Sequence, residues 1–382
     1  MTAVAYSQQK PILAFDLVNG TVDTLSTVDY DPTILSESTP HHTGCYNSII
    51  APLTTTPPET NVFPESQFTQ KRRAADDFDL TTYPIRTSVK LFRNDNDTLF
   101  NNCSGSIISK RHVITAAHCV MNLRADELFL DSLYVAPIFD NGAFNNTFSG
   151  SYTSKIHLFQ DWSLGGTDMA ILELEEPIGE QTGWLGIGFN SSDSELQEGV
   201  FYKFSYPVAA FPPDDPNRYN GDTLYYKYGV VDLNGEDLVT IPNALVAGGE
   251  SGSSIIKIAN EETYTTYGVL SLAGNASHGR INNWRYYAIK SIIGDDLTIA
   301  GGEDGIIIYP NPTTDRIHIK NRKADEIIEL ALYDSVGRRC LFRDKVQADP
   351  ELDLTHLAEG TYLLMIKTAS ATVTKRVMKV RP

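Results

Sequence analysis

From Tyr83 to about Ile293 the chain consists of short runs in which apolar and polar residues alternate, each ending at a turn signal. Ser88-Val89-Lys90-Leu91-Phe92, Ser106-Ile107-Ile108, Ala170-Ile171-Leu172-Glu173-Leu174 and Tyr267-Gly268-Val269-Leu270-Ser271-Leu272 are examples. A period of two places successive side chains on opposite faces, so every run has an apolar face that must be covered. Strands of this spacing over about 210 residues have to close or stack, which predicts an all-β double barrel or large sandwich. The pattern shows no long amphipathic helix.

The remaining length has to be divided among other units, because 382 residues exceed one typical domain. Residues 1–70 hold one base, Lys10, against seven acids, and pass through Pro, Thr and Ser clusters such as Thr54-Thr55-Thr56-Pro57-Pro58. This reads as a loosely structured acidic leader over residues 1–75. Lys71-Arg72-Arg73 then precedes Asp76-Asp77, a tract that reads equally as a processing site or a solvated charge cluster. After Gly301-Gly302-Glu303-Asp304-Gly305 the charge changes sign: residues 305–382 carry 13 bases and 10 acids, against −17 for the whole chain. The expected division is therefore 1–75, 76–298 and 305–382. The last part alternates again, with Asp334-Ser335-Val336-Gly337 as a hairpin turn, and fits a small β-sandwich.

A net charge of −17 repels phosphate backbones and anionic lipid, which argues against nucleic-acid binding. With 41% hydrophobic and 21% charged residues the chain can bury a core. No apolar run approaches the roughly 18–20 residues of a transmembrane helix. Met1 to Lys10 does not supply a complete secretory signal, and truncation is the expected reason. Cys103 and Cys119, 16 residues apart, are within reach of a bridge in an oxidising compartment; Cys45 and Cys340 remain unassigned.

Three segments carry chemistry: Thr115-Ala116-Ala117-His118-Cys119, Thr167-Asp168-Met169-Ala170, and Gly248-Gly249-Glu250-Ser251-Gly252-Ser253. A serine hydroxyl needs a base to take its proton as it attacks a carbonyl, and an imidazole needs a carboxylate to fix its tautomer and stabilise its cation. In the order His118, Asp168, Ser251, the segments resemble those of the chymotrypsin-like serine proteases. The resemblance implies a two-barrel fold with the site in the cleft between barrels, Ser251 as nucleophile, His118 as general base then acid, and Asp168 as its orienter. It also implies an oxyanion hole from the Gly249 and Ser251 N–H groups, a Cys103–Cys119 disulfide behind the histidine, and no metal or organic cofactor. His112 reads as exposed. Glu250 stands where many relatives carry the aspartate that receives a freed N-terminus. Phe204-Ser205-Tyr206-Pro207 and Tyr228-Gly229-Val230 are similar to the bacterial glutamyl-endopeptidase branch.

By the same resemblance the specificity pocket is lined by Leu245, Val246 and Ala247 and by Leu270, Ser271, Leu272 and Ala273. None is acidic, so a basic residue before the scissile bond lacks a counter-charge and an apolar one is expected. His278, placed on the following loop, is the group through which an acidic preference would act. Residues 305–382, opening with Tyr309-Pro310-Asn311-Pro312, resemble the C-terminal sorting domain of the type IX secretion system. That implies export across a Gram-negative outer membrane and contact with the secretion machinery. The expectation is a secreted endopeptidase acting on proteins or peptides; the alternative is an inactive protease fold serving as a surface adhesin or binding protein.

Overall fold

The computed structural model describes residues 11–25, 41–42, 45, 71–95, 98–122, 127–128, 133–145, 147–159, 162, 168–189, 194–197, 200–208, 219–234, 238–240, 246–260, 263–272, 276–297, 306–309, 315–321, 326–334, 336–344, 346, 350–358, 360–369 and 371–379. They fall into two compact units, Met1–Leu297 and Thr298–Pro382.

Among the described residues the first unit contains two large sheets and the short pair Met121–Asn122 with Glu127–Leu128. In one, six strands close on themselves: Ser88–Asp95, Thr98–Ile107, His112–Thr115, Ala170–Leu174, Ser151–Phe159 and Leu133–Pro137, the last pairing back to the first. Alternation sets the register, with Val89, Leu91, Val113, Val135, Ile156 and Leu172 all buried. The second sheet runs through Leu238–Thr240, Ser277–Arg280, Thr263–Leu272, Ser254–Asn260, Phe201–Ser205 and Tyr225–Gly229, without closure among the described residues. An aromatic cluster that includes Tyr202, Phe204, Tyr206 and Tyr226 packs against Phe92 of the first sheet and Phe139 and Phe148 of the connection between two of its strands. This is the all-β architecture that the alternation predicts, resolved as one closed barrel and one half-barrel.

Two elements depart from the sequence reading. Asn283–Ile293 is a helix, started by the Asn282 side chain accepting from Arg285 N and stopped at Gly294, which has φ +53°. Its Tyr286, Ala288, Ile289 and Ile293 pack on Ile108, Ile114 and Phe159. The segment expected to be loosely structured supplies strands: Ile12–Asp16 and Thr21–Leu25 form a hairpin, and Ile12–Asp16 pairs antiparallel with Lys155–Phe159. Arg72–Arg73 pairs with Tyr225–Tyr226.

In the second unit, the strands Ile306–Tyr309, Arg316–Asn321 and Glu351–Asp353 form one sheet. Arg339–Asp344, Ile327–Tyr333, Gly360–Thr368 and Thr372–Lys379 form another. Ile317, Ile319 and Leu352 of the first meet Leu330, Leu332, Leu364 and Ile366 of the second in one core, giving a small sandwich. The hairpin turn at Asp334 uses Gly337 at φ +81°, with Gly337 N donating to Asp334 O. Pro310, Asn311 and Pro312 of the opening motif lie outside the described residues.

Candidate active site

His118 sits on a 3-10 turn, Ala117–Cys119, just past the His112–Thr115 strand. Its ring Nδ1 lies 2.7 Å from Asp168 Oδ2, and its backbone N donates to Asp168 Oδ1 at 2.9 Å. One carboxylate therefore fixes both the ring and the chain that carries it. Asp168 is fully buried at the entry of the Ala170–Leu174 strand, which pairs with His112–Thr115, so sheet register brings the two residues together. The carboxylate accepts a further bond, 2.6 Å, from Ser271 Oγ. The sequence reading places Ser271 in the specificity pocket; here its hydroxyl is buried against Asp168. Cys103 and Cys119 are disulfide-bonded, tying the His118 turn to the neighbouring strand; Cys45 and Cys340 take no part in a disulfide.

Ser251 is half-buried in a turn that two glycines shape, Gly249 at φ +75° and Gly252 at φ +78°. A methyl on Gly252 would collide with Thr115 Oγ1 and Ser104 O and press on Ala116 N, so the turn lies against the strand end at Thr115, just ahead of His118. Ser104 binds it from the first barrel: Ser104 Oγ donates to Gly249 O at 2.8 Å, and Ser104 N donates to Ser251 O at 2.9 Å. Gly252 N donates to Leu270 O. Among the described residues, neither the Gly249 nor the Ser251 N–H has a protein acceptor.

Glu250, inside the same turn, has no exposed side-chain surface and faces three lysines. Lys71 Nζ is 2.8 Å from Oε1, and Lys203 and Lys227 are 3.1 and 3.3 Å from Oε2. Oε1 also accepts from Ala247 N at 2.8 Å, which holds the chain entering the turn. Burial alone would push this carboxyl up; Lys203, Lys227 and Lys71 overturn that and hold it well below the usual carboxylate range. Burial draws fully buried Lys203 down to about 7 against the opposing pull of Glu250. Lys203 and Lys227 are direct cross-strand partners. Each is the central residue of an aromatic-flanked strand, Phe201–Ser205 and Tyr225–Gly229, and that unusual placement was the signal available in the sequence.

Other expected site residues lie elsewhere. Leu270 is buried in a core cluster with Leu196, Phe201, Val239 and Ile255, and Val246 packs on the same cluster. Leu245 and Ala273 are outside the described residues, and Leu272 is placed only as the end of its strand. His278 is on the Ser277–Arg280 strand instead of a loop. It is opposite Leu270 and fully buried, with Nδ1 2.8 Å from Ala276 O. Burial, then Lys203, holds its ring well below the usual imidazole range. His112, expected to be exposed, is 4% exposed because the sheet and Asp296 cover it. Lys71-Arg72-Arg73 is not a free basic tract: beside the Lys71–Glu250 pair, Arg73 reaches Asp140 at 3.3 Å and Arg72 reaches Asp77 at 2.6 Å.

Residues 79–204 match the trypsin family, and residues 307–380 match the secretion system C-terminal sorting domain. The chain is 23% identical over 223 residues to a glutamyl endopeptidase of Bacillus licheniformis, covering 57% of this chain and 64% of that protein. It is 26% identical over 148 residues to serine protease 23 of Mus musculus, covering 33% and 36%. The chain thus spans from about a third to under two thirds of the length of these curated relatives. Among solved structures, a Glu endopeptidase in complex with MPD aligns with TM-score 0.46 and 15% identity, over 58% of this chain and 95% of that one. The chain therefore carries a trypsin-family domain that includes His118 and Asp168, and a sorting domain that marks it for type IX export to the cell surface or beyond.

Proposed function

We propose that residues 76–298 are a serine endopeptidase domain with Ser251 as nucleophile, exported by the module at 305–382 and made with residues 1–75 as a leader. The observation that carries this reading is the double grip of Asp168 on His118, at Nδ1 and at the backbone N, beside the glycine-shaped turn of Ser251. With the Nδ1 proton held by Asp168, Nε2 is the lone pair that accepts the Ser251 hydroxyl proton as Oγ bonds to the peptide carbonyl carbon. The carbonyl electron pair moves to oxygen, where the Gly249 and Ser251 N–H groups receive it. Collapse breaks the C–N bond, and the amine leaves with the proton from His118. Water then repeats the sequence on the acyl-enzyme and frees Ser251.

The preferred residue before the scissile bond is apolar. An acidic preference would act through His278, but its Nδ1 faces a carbonyl and so carries the proton, leaving Nε2 as a lone pair. Such a ring repels a substrate carboxylate unless it gains a second proton, which its burial opposes.

A fluorophosphonate probe tests the assignment: labelling is expected on Ser251 of the intact chain and lost in Ser251→Ala. A folded chain that takes no label would favour the non-catalytic binding reading. Cleavage of a diverse peptide mixture reads the preference, and cuts confined to bonds after Glu or Asp would reject the apolar assignment.

A further inference from the structure

We propose that His112, His157 and Glu173 form a Zn2+ site on the first barrel, separate from the Ser251 turn and not needed for its chemistry. Three adjacent strands bring them together. His112 is the cross-strand partner of Glu173, and His157 is the partner of Ile171, two residues from Glu173 on the same strand. The period of two then places all three side chains on one face of the sheet. One ligand atom of each lies within 4.8 Å of the other two.

The local polar contacts favour a cation over a closed hydrogen-bond network. His157 is 6% exposed, and among the described residues neither ring nitrogen has a hydrogen-bond partner. Its Nε2 lies 3.6 Å from Glu173 Oε2, too far for a hydrogen bond. Zinc bonds of 2.0–2.2 Å at tetrahedral angles separate neighbouring ligand atoms by roughly 3.3–3.6 Å, which this spacing meets. A buried imidazole without partners is costly, and a bound cation removes that cost.

His112 is already oriented from behind. Its Nδ1 lies 2.8 Å from Ser109 Oγ and 3.3 Å from Asp296 Oδ2, contacts that hold the ring from behind with Nε2 on its opposite side. A carboxylate behind the far nitrogen of a histidine ligand is the usual support of a zinc site. Lys155 Nζ is 3.5 Å from Glu173 Oε2; its side chain, 40% exposed, can withdraw into solvent as the metal enters. Two imidazoles and one carboxylate suit Zn2+, with water in the fourth position. The metal would join the strand that leads into His118 to the strand that follows Asp168, stiffening both.

The test titrates ZnCl2 into the full-length chain carrying Ser251→Ala, which prevents self-digestion. One equivalent should bind, raising Tm by roughly 5–10 °C at zinc a hundredfold above Kd. Co2+ should give the intense ligand-field absorption of a tetrahedral site. His157→Gln and Glu173→Gln should each abolish the absorption and the Tm shift, and Ser109→Ala should weaken binding about tenfold to a hundredfold. His118→Ala should leave both signals intact. Circular dichroism of each metal-free variant shows that it folds, and the Co2+ spectrum of the intact sequence decides the question if one variant does not. Absence of stoichiometric uptake, an octahedral Co2+ spectrum, or loss of binding only in His118→Ala would overturn the proposal.

Discussion

Lys71 Nζ and Glu250 Oε1 are 2.8 Å apart, so a cation from the segment before the barrels helps set the charge inside the turn that carries Ser251. In Glu250→Gln, fully buried Lys203 would lose the carboxylate 3.1 Å away, and Ala247 N would lose its carboxylate acceptor. Breaking such a pair costs about 3–5 kcal/mol, and misplaced oxyanion donors cost about a hundredfold to a thousandfold in rate. Denaturant unfolding and kcat/KM on one peptide should both fall. Unchanged kcat/KM would mean that the lysine cluster does not position the turn.

The same contact predicts resistance to nicking. Lys71 is 8% exposed at its side chain, and Arg72–Arg73 is hydrogen-bonded into a sheet, so the folded protein should not be cut there by added trypsin. Limited proteolysis of Ser251→Ala followed by mass spectrometry reads this. Rapid cleavage after residues 71–73 would contradict it.

Ser271 Oγ donates to Asp168, so under the proposed mechanism it would position that carboxylate. Ser271→Ala removes one donor to the carboxylate that holds His118, and kcat should fall about tenfold with KM nearly unchanged. The acid limb of the pH–rate profile should move as well. A change in KM alone would return Ser271 to substrate binding.

Lys90 is fully buried between Tyr206 and Phe92, and burial draws it down to about 7 from 10.5. The unfolded chain holds this proton up to about pH 10.5 and the folded chain releases it near 7, so native stability rises with pH across that window. Below it the folded protein bears the full cost of a buried ammonium, on the order of a few kcal/mol. Lys90→Met should therefore raise Tm most below pH 7, with the gain fading towards pH 10.5. Thermal melts across that range check the trend; a gain that grows with pH would reverse the assignment.

Local pattern carries some of this structure and not the rest. The barrel strands are readable because a buried face imposes a period of two on each run, and Gly249 and Gly252 mark a turn because glycine adopts their positive φ without a Cβ penalty. Asp168 and His118 were recognisable from their flanking residues. What Ser271 touches depends on a residue 103 positions away, which no local run encodes. The three lysines around Glu250, and the His112, His157 and Glu173 group, likewise arise from pairings between separate strands. A basic tract such as Lys71-Arg72-Arg73 reads equally as solvated or as a processing site until the buried Glu250 carboxylate is found opposite Lys71. The helix Asn283–Ile293 was hidden because its aromatic and β-branched content resembles a strand.

The hairpin at Ile12–Leu25 occupies the backbone edge of Lys155–Phe159, and Ile12 is seated in a core cluster with Ile114 and Met169. A cut between Leu25 and Lys71 would sever the covalent link without vacating that edge. The severed hairpin would then travel with the barrels as a second, non-covalent chain, and stripping it away would expose a row of N–H and C=O groups ready to pair with another copy.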